Sequence, residues 1–259
     1  MTWGMLFDST KCIGCGACEA ACKEHNALPA KIDAHTTAYT YTKVEKHGNA
    51  RVRKLCMHCL SPTCVSVCPV AAMKKTKNGP VVYDAKQCIG CRYCIMACTF
   101  GAPKYQWDTA LPLVGKCVMC APRLAKGLPT ACATVCPTGA TQFGDRDALI
   151  TEARARIAAD PKRYVDHVYG VEEAGGTSVL MIAGMGFGEL GMPTDLPNEP
   201  LPMLTWRVLS HLPDLVSVAA VGLFGIHWIT KRREEVRAVE GGDRPVEPPN
   251  PPHGRRAGS

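Results

Sequence analysis

The chain has 259 residues, room for one or two domains, of which 46% are hydrophobic and 20% charged. Thirty Lys and Arg against 23 Asp and Glu leave a formal charge of +7, which by itself would admit nucleic acid as a partner. Sixteen cysteines turn the reading away from that, and from a chain held together by an ordinary apolar core alone.

Met1 to Thr10 has neither a basic n-region nor an apolar h-region, so no secretory signal is expected ahead of the first motif. Cys12, Cys15, Cys18 and Cys22 then make a C-x₂-C-x₂-C-x₃-C run, the spacing with which bacterial ferredoxins hold a 4Fe–4S cube. Three thiolates two residues apart on a tight loop can wrap three corners of a cube. Gly14 and Gly16 supply the backbone freedom for that loop. The fourth cysteine is expected to start a helix and to serve a neighbouring cluster.

Alternation over Ala38–Val44, a turn at His47-Gly48-Asn49 and renewed alternation over Ala50–Leu55 predict a β-hairpin. It leads into a second quartet, Cys56, Cys59, Cys64 and Cys68. Asn78-Gly79-Pro80 is a turn, Val81–Tyr83 a strand, and Cys88, Cys91, Cys94 and Cys98 repeat the first spacing. The fourth quartet is Cys117, Cys120, Cys132 and Cys136, with eleven residues between its middle pair. Asp145 caps a predicted helix over Arg146–Ala159, stopped by Asp160-Pro161. Glycines crowd 170–191, which reads as irregular surface chain with one strand at Thr177–Ile182, and prolines from Pro193 to Pro202 read as an extended linker.

Leu215–Ile229 is apolar and is followed by Lys231-Arg232-Arg233. Extended back to Val208 it reaches the roughly 20 residues of a membrane span, with Trp206 and Trp228 towards its two ends. Ala219, Gly222 and Gly225 would let a second helix approach closely. The basic cluster puts the C-terminal side in the cytoplasm and the cysteine-rich part on the outer face. Export without a signal then calls for a partner that carries one. The tail beyond residue 230 is basic and Pro/Gly-rich and is expected to be disordered.

Every cysteine belongs to a quartet. A disulfide framework has no reason to clump cysteines as C-x₂-C, and structural zinc favours two such pairs a dozen or more residues apart. Only the fourth quartet could pass for zinc. Four quartets form two ferredoxin-like pairs, and spacing alone leaves open which quartets pair. Four oxidised clusters would bring roughly −8 of charge, so the basic residues read as compensation around clusters rather than as a nucleic-acid surface.

The segments Asp8-Ser9-Thr10-Lys11-Cys12-Ile13-Gly14-Cys15, Cys56-Met57-His58-Cys59, Cys88-Ile89-Gly90-Cys91-Arg92-Tyr93-Cys94, Gly127-Leu128-Pro129, Cys136-Pro137-Thr138-Gly139-Ala140 and Gly175-Gly176-Thr177 carry a resemblance. With the C-terminal anchor, they make the chain similar to the four-cluster iron–sulfur subunits of membrane-bound molybdenum oxidoreductases and hydrogenases, in particular the β subunit of respiratory formate dehydrogenase. The resemblance implies an α+β fold of two ferredoxin-like dicluster domains with interleaved motifs and a C-terminal transmembrane helix. The outer-quartet domain would take 1–50 and 105–192, and the inner-quartet domain 51–104. A linker would follow at 193–207, the anchor at 208–230 and the tail at 231–259. One cluster is implied on Cys12, Cys15, Cys18 and Cys136, and a second on Cys22, Cys117, Cys120 and Cys132. A third is implied on Cys56, Cys59, Cys64 and Cys98, and a fourth on Cys68, Cys88, Cys91 and Cys94. In that order they would form a wire from a catalytic molybdenum or nickel–iron subunit to a membrane cytochrome b or quinone site.

No Ser/His/Asp or phosphate-loop constellation is evident, so the chain is expected to transfer electrons rather than catalyse. His227 in the span reads as a packing or interfacial residue before a haem ligand, and the other histidines, including His58 between two cysteines, as tuning or surface residues. The competing readings are the same role in a nickel–iron hydrogenase and a membrane-attached zinc module.

Overall fold

The apolar run Trp3–Asp8 forms strand β1, buried from Gly4 onward and central in a three-stranded sheet. A strand covered on both faces needs such a continuous run. The computed structural model describes residues 2–241, which fall into two compact units, one extending to Thr205 and the other beginning at Trp206.

Left-handed Gly16 (φ 72°) opens helix α1, Ala17–His25, so Cys18 and Cys22 lie one turn apart on it. The helix thus begins before the third cysteine and not at the fourth, because the glycine ends the loop there. Strands β2 (Lys43–His47) and β3 (Ala50–Lys54) make the expected hairpin around Gly48-Asn49. Its first strand is shorter than the alternation suggests, since Thr37 and Thr40 close a small turn of their own through reciprocal main-chain bonds.

The second quartet contains the short helix α2 (Thr63–Ser66). Strands β4 (Met73–Lys75) and β5 (Val81–Tyr83) pair antiparallel across the expected turn, and α3 (Tyr93–Met96) lies in the third quartet. A small pair, β6 (Lys104–Tyr105) and β7 (Val114–Gly115), precedes α4 (Ala121–Leu124) and α5 (Ala131–Thr134), which follow Cys120 and carry Cys132.

Strand β8 (Thr141–Asp145) pairs antiparallel with β1. Asp145 then accepts hydrogen bonds from the Asp147 and Ala148 amides and caps α6, Arg146–Ala159, with the bounds the sequence predicts. Leu149, Ala153 and Ile157 recur every fourth residue and pack on Leu6, Leu180 and Ile182.

Strand β9 (Val179–Ile182) pairs parallel with β1, with Met5 opposite Val179. This corrects the reading of 170–191 as surface chain: Thr177 through Ala183 are buried. The glycines of the segment permit close approach rather than irregularity. A Cβ on Gly170 (φ 98°) would stand 2.5 Å from both Thr177 Oγ1 and Val179 O.

Helix α7 runs over Leu201–Leu209, so the extended linker expected at 193–207 ends at Pro200. Pro202 sits in the first helical turn, where a missing N–H costs nothing. After Ser210-His211 comes α8, Leu212–Glu240, 29 residues long. Leu201–Glu240 holds an apolar window of mean hydropathy 1.6 with none of it buried, long and apolar enough to cross a membrane. The helix continues through 231–240, where disorder is expected from composition; Arg232 pairs with Glu235 one turn on. The remainder of that tail, 242–259, lies outside the described residues.

Candidate metal centres

All sixteen cysteines are free thiols, and the fold draws them into four groups. Cys12, Cys15 and Cys18, from the loop and α1, line one cavity together with Cys136, which arrives from the turn before β8. Cys22, one turn along α1, lines a second cavity with Cys117, Cys120 and Cys132. Cys59 has Cys56, Cys98 and Cys64 as its thiol neighbours. Cys94 has Cys88, Cys91 and Cys68. Electrostatic influence between groups follows one sequence: Cys132 acts on Cys18, Cys56 on Cys117, and Cys94 on Cys64.

The surroundings suit thiolates. Backbone amides donate to sulfur from Ala72 to Cys68 (3.2 Å), Ala102 to Cys98 (3.4 Å), Met119 to Cys117 (3.4 Å) and Thr141 to Cys136 (3.4 Å). Those amides are available because each loop turns back over its own cysteine. Burial still pushes most of the thiols up, Cys18 and Cys94 to about 11 and Cys22 and Cys64 to about 12, with neighbouring thiols adding to the effect. A bound metal offsets that cost by holding its ligands deprotonated. Among the described residues no three His, Cys, Asp or Glu side chains converge as on a single ion. The cysteines of the Cys12 and Cys22 groups stand around cavities instead, whereas zinc would draw four sulfurs to about 3.8 Å of one another.

Two cations, Arg53 and Lys116, are buried among the groups and a third, Lys75, is partly buried, and nothing in the sequence distinguishes them from surface ones. Arg53 is 2% exposed; its Nε donates to Thr42 Oγ1 at 2.8 Å and its guanidinium to Thr141 Oγ1 at 3.1 Å. Arg53 lines the Cys22 cavity, while its partner Thr141 lines the Cys12 cavity. Burial raises the Cys132 thiol, but Arg53 and the hydroxyl of Thr130 more than offset this, and its pKa falls below the usual value. Lys116 donates to Val81 O at 2.5 Å and to Cys117 O at 2.8 Å, with Cys56 Sγ at 3.9 Å. Lys75 spans the carbonyls of His58, Cys59 and Gly79, and burial pushes its ammonium down to about 8.

Comparison with known proteins agrees. Residues 49–146 match a 4Fe–4S dicluster domain and residues 3–24 a 4Fe–4S binding domain. A protein of Nitratidesulfovibrio vulgaris is 40% identical over 257 residues, covering 92% of this chain and 70% of its own. The hydrogenase-2 operon protein HybA of Escherichia coli O157:H7 is 36% identical, covering 73% of this chain and 72% of its own. The formate dehydrogenase iron–sulfur subunit of Haemophilus influenzae is 32% identical, covering 87% and 79%. The cofactors are therefore 4Fe–4S clusters, and sixteen thiols are the complement that four of them need. The chain belongs to the family of iron–sulfur electron-transfer subunits of oxidoreductase complexes that includes HybA and the formate dehydrogenase iron–sulfur subunits.

Proposed function

We propose that the chain carries electrons from a catalytic subunit, of the molybdenum formate dehydrogenase type, to a membrane cytochrome b or quinone site. The proposed ligand sets are Cys12, Cys15, Cys18 and Cys136; Cys22, Cys117, Cys120 and Cys132; Cys56, Cys59, Cys64 and Cys98; and Cys68, Cys88, Cys91 and Cys94. The observation that carries this reading is the order in which the thiol groups neighbour one another electrostatically, through Cys18 and Cys132, Cys117 and Cys56, and Cys64 and Cys94. A path with one neighbour on each side suits a wire with two ends. When bound, each cluster takes up and releases one electron.

The chain's own residues set the conditions for that exchange. Amides on sulfur, together with Arg53, Lys75 and Lys116, favour added negative charge, while burial excludes water. A separate apolar cluster of Cys64, Met73, Val81, Cys94 and Val114 supports an inner-quartet ferredoxin-like domain interleaved with an outer-quartet one. Residues 208–230 are the membrane anchor. Lys231-Arg232-Arg233 favour a cytoplasmic C-terminus and a periplasmic cluster unit, exported with a signal-bearing partner.

The test is the intact complex, purified anaerobically. The expected result is about sixteen irons per chain, formate-linked viologen reduction and a co-purifying cytochrome b. Ending the chain at Thr205 is expected to keep the iron but to move the protein from the membrane to the soluble fraction. Zinc in place of iron, or a truncated chain still in the membrane, would refute the corresponding part. The HybA match, 36% identical over 73% of this chain and 72% of its own, supports a second reading, a nickel–iron hydrogenase partner, for which hydrogen rather than formate would reduce the viologen.

A further inference from the structure

His58 lies between Cys56 and Cys59, fully buried, with a left-handed backbone (φ 51°) that turns its side chain into the interior. Its Nδ1 accepts the Val81 N–H at 2.9 Å. A ring nitrogen that accepts an N–H carries no proton of its own. The imidazole is therefore the tautomer with its proton on Nε2. That Nε2–H is buried and meets no acceptor among the described residues.

Interiors rarely leave a donor in that state. The acceptor must come from outside the polypeptide, and the loop that carries His58 also carries two of the thiols assigned to the third cluster. We propose that His58 Nε2–H donates a hydrogen bond to a sulfur of the 4Fe–4S cluster held by Cys56, Cys59, Cys64 and Cys98, and raises that cluster's reduction potential. The inference rests on the ligand sets proposed above. The sign follows from charge: the reduced cluster carries one more negative charge, so a donor to its sulfur stabilises it more than the oxidised form. His58 is then a positioning and tuning residue, not a ligand.

The intact complex, labelled with nitrogen-15 in its histidine side chains and reduced anaerobically, is expected to show a weak imidazole-nitrogen coupling by pulsed EPR. The coupling should belong to the one cluster whose signal changes in a Cys59→Ser variant. His58→Leu is expected to remove the coupling and to lower the equilibrium constant for reducing that cluster about tenfold, or about 59 mV for one electron. The other clusters should not move, and His58→Gln, which keeps an N–H donor, should recover part of the shift. Sixteen irons per chain with no imidazole coupling, or with an unshifted potential in His58→Leu, would overturn the proposal and leave the donor to an internal water. If His58→Leu fails to assemble, the labelled unsubstituted protein still decides. Fewer than about sixteen irons in that unsubstituted protein would overturn the ligand sets instead.

Discussion

Replacing Arg53 with Met is expected to cost the chain about half of its iron. The guanidinium is enclosed, fixed by Thr42 and Thr141, and set between the cavity lined by Cys22, Cys117, Cys120 and Cys132 and the one lined by Cys12, Cys15, Cys18 and Cys136. With clusters in place, about −2 on each side would face it. Met fills similar space but leaves both charges unopposed and two buried hydroxyls without their donor. Removing one partner of a buried charge pair costs about 3–5 kcal/mol. The loss should fall on the clusters of the outer quartets, because Lys75 and Lys116 serve the inner ones independently. Arg53→Lys should be intermediate, since it keeps the charge but not the planar fork that reaches two hydroxyls. Iron and sulfide content per chain, with EPR of the reduced complex, measures it. A full complement of iron and unaltered spectra in Arg53→Met would refute the bridging role.

The second large effect is expected at Gly115, in β7. A Cβ there would collide with Ala38 O and lie 2.7 Å from both Ala38 C and Ala38 Cα. All three are main-chain or Cα atoms of a buried residue, so no side chain can swing aside. The strand itself must move, and the next residue is Lys116, whose ammonium stands 3.9 Å from Cys56 Sγ. Gly115→Ala should therefore cost about 3 kcal/mol and also disturb the third thiol group. The measurement is thermal bleaching of the visible cluster absorption in the purified complex. Gly48→Ala is the control: it carries the strain of a positive φ (58°), which Gly115 does not, yet no atom lies within 4 Å of the added carbon. It should bleach close to the parent temperature, and equal losses at both sites would remove the packing explanation.

What could be read from the sequence was local. The hairpin around Gly48-Asn49, the strand Val81–Tyr83 and the helix capped by Asp145 each announce themselves within a few residues, and each stands where expected. The four quartets were legible because clusters impose their spacing on short loops, while which quartets combine was not. The central sheet was not, since β1 finds its partners more than 130 residues away, and no local pattern in Val179–Ile182 names Met5–Asp8 as its neighbour. The glycines of 170–191 misled for a related reason. Glycine density marks loops, but it also marks places where main chains pack against one another, and only the three-dimensional contact separates the two. Arg53 and Lys116 were hidden similarly. One stands in a hairpin among other basic residues and the other directly before a cysteine, as Lys11 does before Cys12, and only the fold buries them.

The parallel pairing of β1 with β9 makes the first strand wait for nearly the last of its unit. Ile182 is made 174 residues after Asp8 (182 − 8), about 9 to 35 seconds of synthesis at ~5–20 residues per second. Until β8 emerges the thiols of the opening motif stand beside a strand with no partner at all, and Cys136, which shares their cavity, arrives only just before it. Loading of the outer quartets is therefore a late event in synthesis, which calls for the nascent chain to be shielded from stray zinc and oxidants until the distant segments have met.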